Sequence, residues 1–226
     1  MEILSILDTL RENLMASSWF EAVAVIFGLM SVWFARKENI WVYPTGIISV
    51  LIYVYICFDV KLYADAGINA FYFIMSVYGW IMWTRKDTQQ HFRPISRATA
   101  VQNIVSFSGL ILFFILLSYL LIHYTDSNVP YWDGLTTSIF ILGMWLMALK
   151  KIENWLFWIA GDAISIPLFA SKGLILTSFQ FAVFLGLAIA GYVEWRRRLR
   201  MRCAEPLCTL DLSGARKRDR EMRYGP

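Results

Sequence analysis

The sequence predicts an all-α integral membrane protein. It has seven transmembrane helices, set out as two parallel three-helix repeats joined by a linker helix, a 3+1+3 order. Three observations carry this. The 226 residues are 58 % hydrophobic and 16 % aromatic, with a mean hydropathy of +0.52, and a soluble domain of that size needs a far more charged surface. The apolar residues fall in runs long enough to span a bilayer. One stretch is also written twice. Glu38, Asn39, Tyr43 and Gly46 recur 115 positions later as Glu153, Asn154, Trp158 and Gly161. The same register sets Asp65 on Gln180, Trp80 on Trp195 and Arg85 on Arg200. Two similar halves in a membrane can enclose one site between them.

The elements follow in order. Residues 1–18 do not read as a signal peptide, because Asp8, Arg11 and Glu12 interrupt the apolar positions and no small-residue cleavage site follows. Ile3, Leu4, Leu7, Leu10 and Leu14 form a helical stripe, which predicts an amphipathic helix on the membrane surface; a frayed terminus is the alternative. The first repeat, 19–84, holds spans Trp19–Ala35, Trp41–Phe58 and Leu62–Trp83. Residues 85–132 link the repeats through span Val101–Ile122, rich in Phe, Leu and Ile and expected to face lipid or neighbouring helices. The second repeat, 133–198, holds Leu135–Leu149, Trp155–Ala170 and Leu174–Trp195. The first two of these are short, which sets the turn between them near the lipid interface. The spans must be helical, because in lipid each backbone amide has to find its partner within the protein. Residues 199–226 are basic and poor in apolar groups, so a disordered tail is expected.

Charge sets the orientation. With seven spans the termini lie on opposite sides. Arg11, Lys61 and Lys172 share the amino-terminal side, and the other eighteen of the 21 Lys and Arg lie opposite. Positive charge marks the cytosolic face, so the amino terminus is expected outside and the carboxyl terminus in the cytosol. The net charge of +4 is then topology and contact with anionic lipid, not a nucleic-acid surface. Three cysteines give no disulfide framework: Cys57 is expected to pack as a small apolar residue, and Cys203 and Cys208 to be free thiols. No nucleophile elbow, phosphate loop, nucleotide-hydrolysis motif or metal-binding pattern is present, so neither an enzyme nor a cofactor is expected.

Polar groups within spans are costly unless they face a bundle interior or a wet cavity. Asp65, Asn69, Tyr72, Ser76 and Trp80 recur at three- or four-residue steps on one face of the third span. Gln180, Phe184, Gly191 and Trp195 do the same on the seventh. These groups suit a site for an asymmetric solute, and they equally suit hydrogen bonds between helices; Asp65, early in its span, is placed to face outside water. Trp155 and Trp158, neighbours on the sixth span, could stack on a flat ring, and a cationic ring would gain about 0.5–2 kcal/mol. Trp33, Trp80, Trp83 and Trp195 read singly as an interfacial belt. Asp162 lies one turn beyond Trp158. Pro44, Gly46, Gly161 and Pro167 are candidate hinges.

Several motifs belong together: Lys151-Ile152-Glu153-Asn154-Trp155-Leu156-Phe157-Trp158, Lys172-Gly173-Leu174, Thr177-Ser178-Phe179-Gln180-Phe181 and Gly191-Tyr192-Val193-Glu194-Trp195. Lys37-Glu38-Asn39 with Tyr43-Pro44, and Tyr63-Ala64-Asp65 with Tyr78-Gly79-Trp80, join them. Taken together these motifs resemble the PnuC family of nicotinamide riboside transporters. The likeness covers roughly Trp19 to Arg198, and the helix order also resembles the SWEET sugar transporters. The resemblance implies facilitated diffusion of nicotinamide riboside across a bacterial inner membrane, trapping by a cytosolic kinase, and a homo-oligomer, a trimer. It implies a site formed by Trp155, Trp158, Asn154 and Gln180, with Asn39, Tyr43 and Asn69 from the first repeat. A sugar, thiamine or riboflavin carrier, a non-transporting membrane protein, and proton coupling through Asp65 or Asp162 are the alternatives.

Overall fold

The structure is a computed structural model that describes residues 19–59, 63–86, 93–125, 127–173 and 175–204. The expected amphipathic segment 1–18, the side chain of Asp65, and Cys208 with the rest of the tail from 205 lie outside the described residues. Seven helices are described: α1 Trp19–Arg36, α2 Val42–Asp59, α3 Tyr63–Thr84, α4 Ala100–Tyr124, α5 Pro130–Ala148, α6 Asn154–Ser171 and α7 Ile175–Ala204. The all-helical expectation holds. By length and composition, α1, α2, α4 and the Thr177–Arg202 part of α7 can each cross a membrane. The other three carry more polar side chains, among them Asn69 on α3, Thr136 and Ser138 on α5, and Asn154, Asp162 and Ser165 on α6.

Two boundaries differ from expectation. α5 starts at Pro130, five residues early, because proline is pre-set for a first helical turn where its missing N–H costs nothing. α7 continues through the basic run to Ala204, past the expected boundary at 198, with Glu194 bridging to Arg198 one turn on.

Six helices close a ring in the order α1–α2–α3–α5–α6–α7, and α7 packs back on α1. Among the described helices α4 packs on α5 alone and turns Ile104, Phe107, Ile111 and Ile115 outward. Its start is fixed by a capping box, Thr99 Oγ1 accepting from Gln102 N and Gln102 Oε1 from Thr99 N. Small residues let the helices approach: a Cβ on Gly134 would stand 2.7 Å from Ser118 Oγ.

Joins between the halves repeat. The Trp83 indole donates to Met147 O at 3.1 Å, and the Trp195 indole donates to Ala35 O at 3.1 Å. These bonds gather the carboxyl ends of α1, α3, α5 and α7 at one end of the bundle, so α1–α2–α3 and α5–α6–α7 run in the same direction. That end also carries Arg36, Lys37, Arg85, Arg97, Lys150 and Lys151, and is termed the basic end below.

The internal register is corrected. Structurally equivalent positions are 112 apart, not 115. Tyr43 packs edge-on to Trp83 (5.2 Å, 90°) as Trp155 does to Trp195 (5.5 Å, 89°). The left-handed turn residues Glu38 (φ 57°) and Lys150 (φ 51°) match in the same register, as do Gly79, which lies under the Tyr43 ring, and Gly191, under Trp155. Trp158 is therefore equivalent to Gly46 rather than to Tyr43, Gln180 to Ile68 rather than to Asp65, and Trp195 to Trp83 rather than to Trp80. The 115-residue match aligned short identities in the turns three positions out of step. Trp83 and Trp195 are not belt residues either. Both are buried core, because each indole N–H caps a carbonyl of the opposite half.

Candidate functional site

The ring encloses a cavity of about 1060 Å³ between the halves. Its mouth lies at the end away from the basic loops, among Glu21 in the first turn of α1, Thr125 and Asn128 beyond α4, Asp133 in the first turn of α5, and Lys172 after α6. Lys172 Nζ holds Asp133 Oδ1 at 2.6 Å, and Ser127 donates to Asp133 Oδ2. The other end of the cavity stops at Tyr43, Met147, Trp155 and Ala188. Behind them the interlocked rings of Tyr43, Trp83, Trp195 and Trp155 fill the basic end. Lys150 lies 4.4 Å over the Trp83 ring and pairs with Glu38 at 2.9 Å.

The two walls differ, and the corrected register shows how. Where the first half places Gly28, Ser31, Gly46 and Ser49, the second half places Phe140, Gly143, Trp158 and Gly161 at the equivalent positions. In both halves the pair of helices is in close contact. A Cβ on Gly46 would stand 3.0 Å from Ser31 Oγ, and one on Gly143 would stand 3.3 Å from the Trp158 ring. The first wall is thus small and hydroxyl-bearing, with Tyr53, Asn69, Tyr72 and Ser76 beside it. The second is aromatic: Trp158 stacks on Phe140 (5.4 Å, 27°), Phe140 on Phe181 (6.0 Å, 7°) and Phe181 on Phe169 (5.0 Å, 20°).

Of the sequence candidates, Trp155, Trp158, Gln180, Tyr43, Asn69 and Phe184 line the cavity together. Gln180 stands beside the Tyr53 side chain. Asn154, Asn39 and Trp80 lie elsewhere. Asn154 is fully buried, and its Nδ2 donates to Lys151 O, which ties the α5–α6 turn. Asn39 Oδ1 accepts from Trp41 N at 3.0 Å and shapes the α1–α2 turn. Trp80 is 39 % exposed on the outer face of α3. Sequence reasoning missed the wall residues Phe140, Phe181, Ser31 and Ser49; their signal, glycine on one helix against a ring on the next, emerges only in the corrected register.

Four lining side chains carry a buried polar atom with no partner among the described residues: Tyr43 Oη, Trp155 Nε1, Trp158 Nε1 and Ser165 Oγ. A buried donor or acceptor costs free energy until something in the cavity satisfies it. The arrangement therefore suits a flat, polar-edged molecule, with ring faces on one side and hydrogen-bonding groups on both.

A membrane bundle of two like-oriented halves around a polar and aromatic cavity that reaches one face is built as a solute carrier. A family profile described as nicotinamide mononucleotide transporter matches residues 18–197, and the chain belongs to that family of membrane transporters, which are not enzymes. It is 28 % identical over 215 residues to the nicotinamide riboside transporter PnuC of Escherichia coli K12, covering 84 % of this chain and 90 % of that one. It is 26 % identical to PnuC of Neisseria mucosa, covering 80 % and 73 %. It is 23 % identical to the riboflavin/roseoflavin transporter RibM of Streptomyces davaonensis, covering 80 % and 86 %. A crystal structure of the vitamin B3 transporter PnuC shares the fold, with a TM-score of 0.66 at 24 % identity, over 88 % of this chain and 92 % of that one.

Proposed function

We propose that this protein carries nicotinamide riboside into a bacterial cytosol by facilitated diffusion, with phosphorylation by a kinase trapping the product. The observation that carries the reading is the unlike pair of walls. The aromatic wall of Phe140 and Trp158 suits the pyridinium ring. Gln180 and Asn69 suit its amide, and the small hydroxyl-bearing wall at Ser31 and Ser49 leaves room for ribose.

The charges favour the riboside over its phosphate ester. Among the described residues Lys172 is the one basic residue lining the cavity, and it is already engaged by Asp133. Among the described residues a phosphate would face Glu21, Asp133 and Asp162 with no cation beyond the Lys172 already paired to Asp133. The positive residues at the closed end support a cytosolic reading of that end, in which the cavity opens to the outside. A homotrimer in the inner membrane is part of the same reading and rests on the family resemblance; the mass of the detergent-purified particle tests it.

Uptake into proteoliposomes tests the function. Nicotinamide riboside is expected to enter down its own gradient, with no effect of an imposed pH gradient. Uptake of riboflavin, thiamine or a sugar in its place overturns the assignment.

A further inference from the structure

Among the described residues, Asp162 is the one carboxylate deep in the cavity. Four charged residues line the space among the described residues: Glu21, Asp133, Lys172 and Asp162. The first three stand at the mouth, and Lys172 neutralises Asp133. Asp162 is 3 % exposed, lies on the cavity-facing side of α6 one turn beyond Trp158, and has a turn further on Ser165 with its unpartnered hydroxyl. Among the described residues no cation, hydroxyl or amide bonds its carboxylate. The equivalent position in the first half is Val50, so the charge is not a structural requirement of the repeat. An unpaired carboxylate within a bundle is costly and is retained where something it pairs with comes and goes.

We propose that Asp162 is the counter-ion for a permanently cationic aromatic ring, and so a specificity-determining residue of the site. The inference rests on the transport reading above and goes beyond it by naming what selects the charge. Residues four apart on a helix have side chains about 5–6 Å apart. A ring laid on the aromatic wall at Trp158 therefore comes within reach of the Asp162 carboxylate, in surroundings of low dielectric where opposite charges attract strongly. A neutral ring of the same outline gains the stacking but not the charge pairing. Such a ring leaves the carboxylate unpaired, which sets the cation above flavin-like or sugar-like solutes.

The test is titration of the purified full chain with two probes of nearly one shape. They are nicotinamide riboside, whose ring is a cation, and its 1,4-dihydro form, whose ring is neutral. Wild-type protein is expected to bind the cation at least about tenfold more tightly. Asp162→Asn is expected to lose about that factor for the cation and to change little for the dihydro form; Asp162→Glu is expected to keep the preference. The wild-type comparison needs no variant, so the inference stays testable if a substitution fails to fold. Equal loss of both probes in Asp162→Asn, unchanged binding of the cation, or a wild type indifferent to ring charge overturns the counter-ion while leaving the transport reading intact. Uptake of both probes that follows an imposed pH gradient and loses that dependence in Asp162→Asn makes the residue a proton carrier, and also overturns it. A wild type that binds neither probe overturns the transport reading, and the counter-ion with it.

Discussion

Glu38 and Lys150 hold the same position in the two halves, and they bond to each other. The carboxylate Oε1 accepts from Lys150 Nζ at 2.9 Å, with side chains 14 % and 7 % exposed, and Arg198 adds a second cation at 3.5 Å from Oε2. Both residues adopt left-handed turns that bring the tip of each α-helical hairpin to the middle of the bundle. The repeat thus places two equivalent positions face to face, and the sequence gives them opposite charge. For the cavity to open at the basic end, this pair and the Trp83–Trp195 contact behind it must part.

Removing one partner should therefore destabilise more than removing both. Glu38→Gln leaves Lys150 without its acid while Arg198 keeps Glu194, and a broken buried pair costs about 3–5 kcal/mol. Glu38→Gln/Lys150→Met is expected to recover part of that loss. Thermal unfolding of the four proteins in one detergent gives the coupling. Additive single losses would show that the pair does not hold the end closed.

Gly79 and Gly191 support equivalent aromatic residues. A Cβ on Gly191 would stand 2.5 Å from the Trp155 ring, and one on Gly79 would press as hard on Tyr43. Neither ring can retreat, because each is held edge-on by a buried tryptophan. Gly79→Ala and Gly191→Ala are each expected to cost about 1–3 kcal/mol through overpacking. Trp155→Leu should relieve Gly191→Ala but not Gly79→Ala, read again from unfolding midpoints.

The helical membrane fold was legible because hydropathy depends only on residue type and run length, and six of ten candidate residues do meet at one cavity. The register was not legible. Glu-Asn in two turns and a glycine beyond each made a match at 115. Of the pairs that define equivalence, Trp83/Trp195 and Gly79/Gly191 are identical, but Tyr43/Trp155, Glu38/Lys150 and Gly46/Trp158 are unlike. Packing conserves the sum of volumes across a contact rather than either residue, so a large–small swap hides a repeat from comparison of identities. For the same reason tryptophans assigned to the lipid belt by type proved to be core. Only the carbonyl that each indole meets, 64 and 160 residues away along the chain, distinguishes them.

Asn154, Asn39 and Trp80 give a contrast between motif and site. Asn39→Ala removes the side-chain acceptor of Trp41 N and should cost about 1 kcal/mol. Asn154→Ala removes a fully buried amide from the α5–α6 turn and should cost more, about 1–3 kcal/mol. Trp80→Ala changes the outer face of α3. Ligand affinity is expected to stay within about twofold for Asn39→Ala and Trp80→Ala, whereas Gln180→Ala, on the cavity wall, should weaken it. A large affinity loss in Trp80→Ala would place the site elsewhere.

The unlike walls predict the sharpest separation of stability from function. Trp158→Ala removes the ring at one end of the aromatic stack and should weaken binding by about 1–2 kcal/mol, roughly tenfold. The converse change builds the second half's arrangement into the first. In Ser31→Gly/Gly46→Trp the new indole occupies the position equivalent to Trp158, and the glycine opposite it reproduces Gly143, which already accommodates a ring at 3.3 Å. The helix pair has a packing solution for this exchange in the same molecule, so the variant should fold with an unfolding temperature near that of the wild type. The space left for the sugar would then hold an indole, and binding should fall by about a hundredfold or more. Calorimetric titration and thermal unfolding of the same sample separate the two effects. Full affinity in this double variant would show that the ligand does not use the wall at Ser31 and Gly46, and that the difference between the halves serves packing rather than recognition.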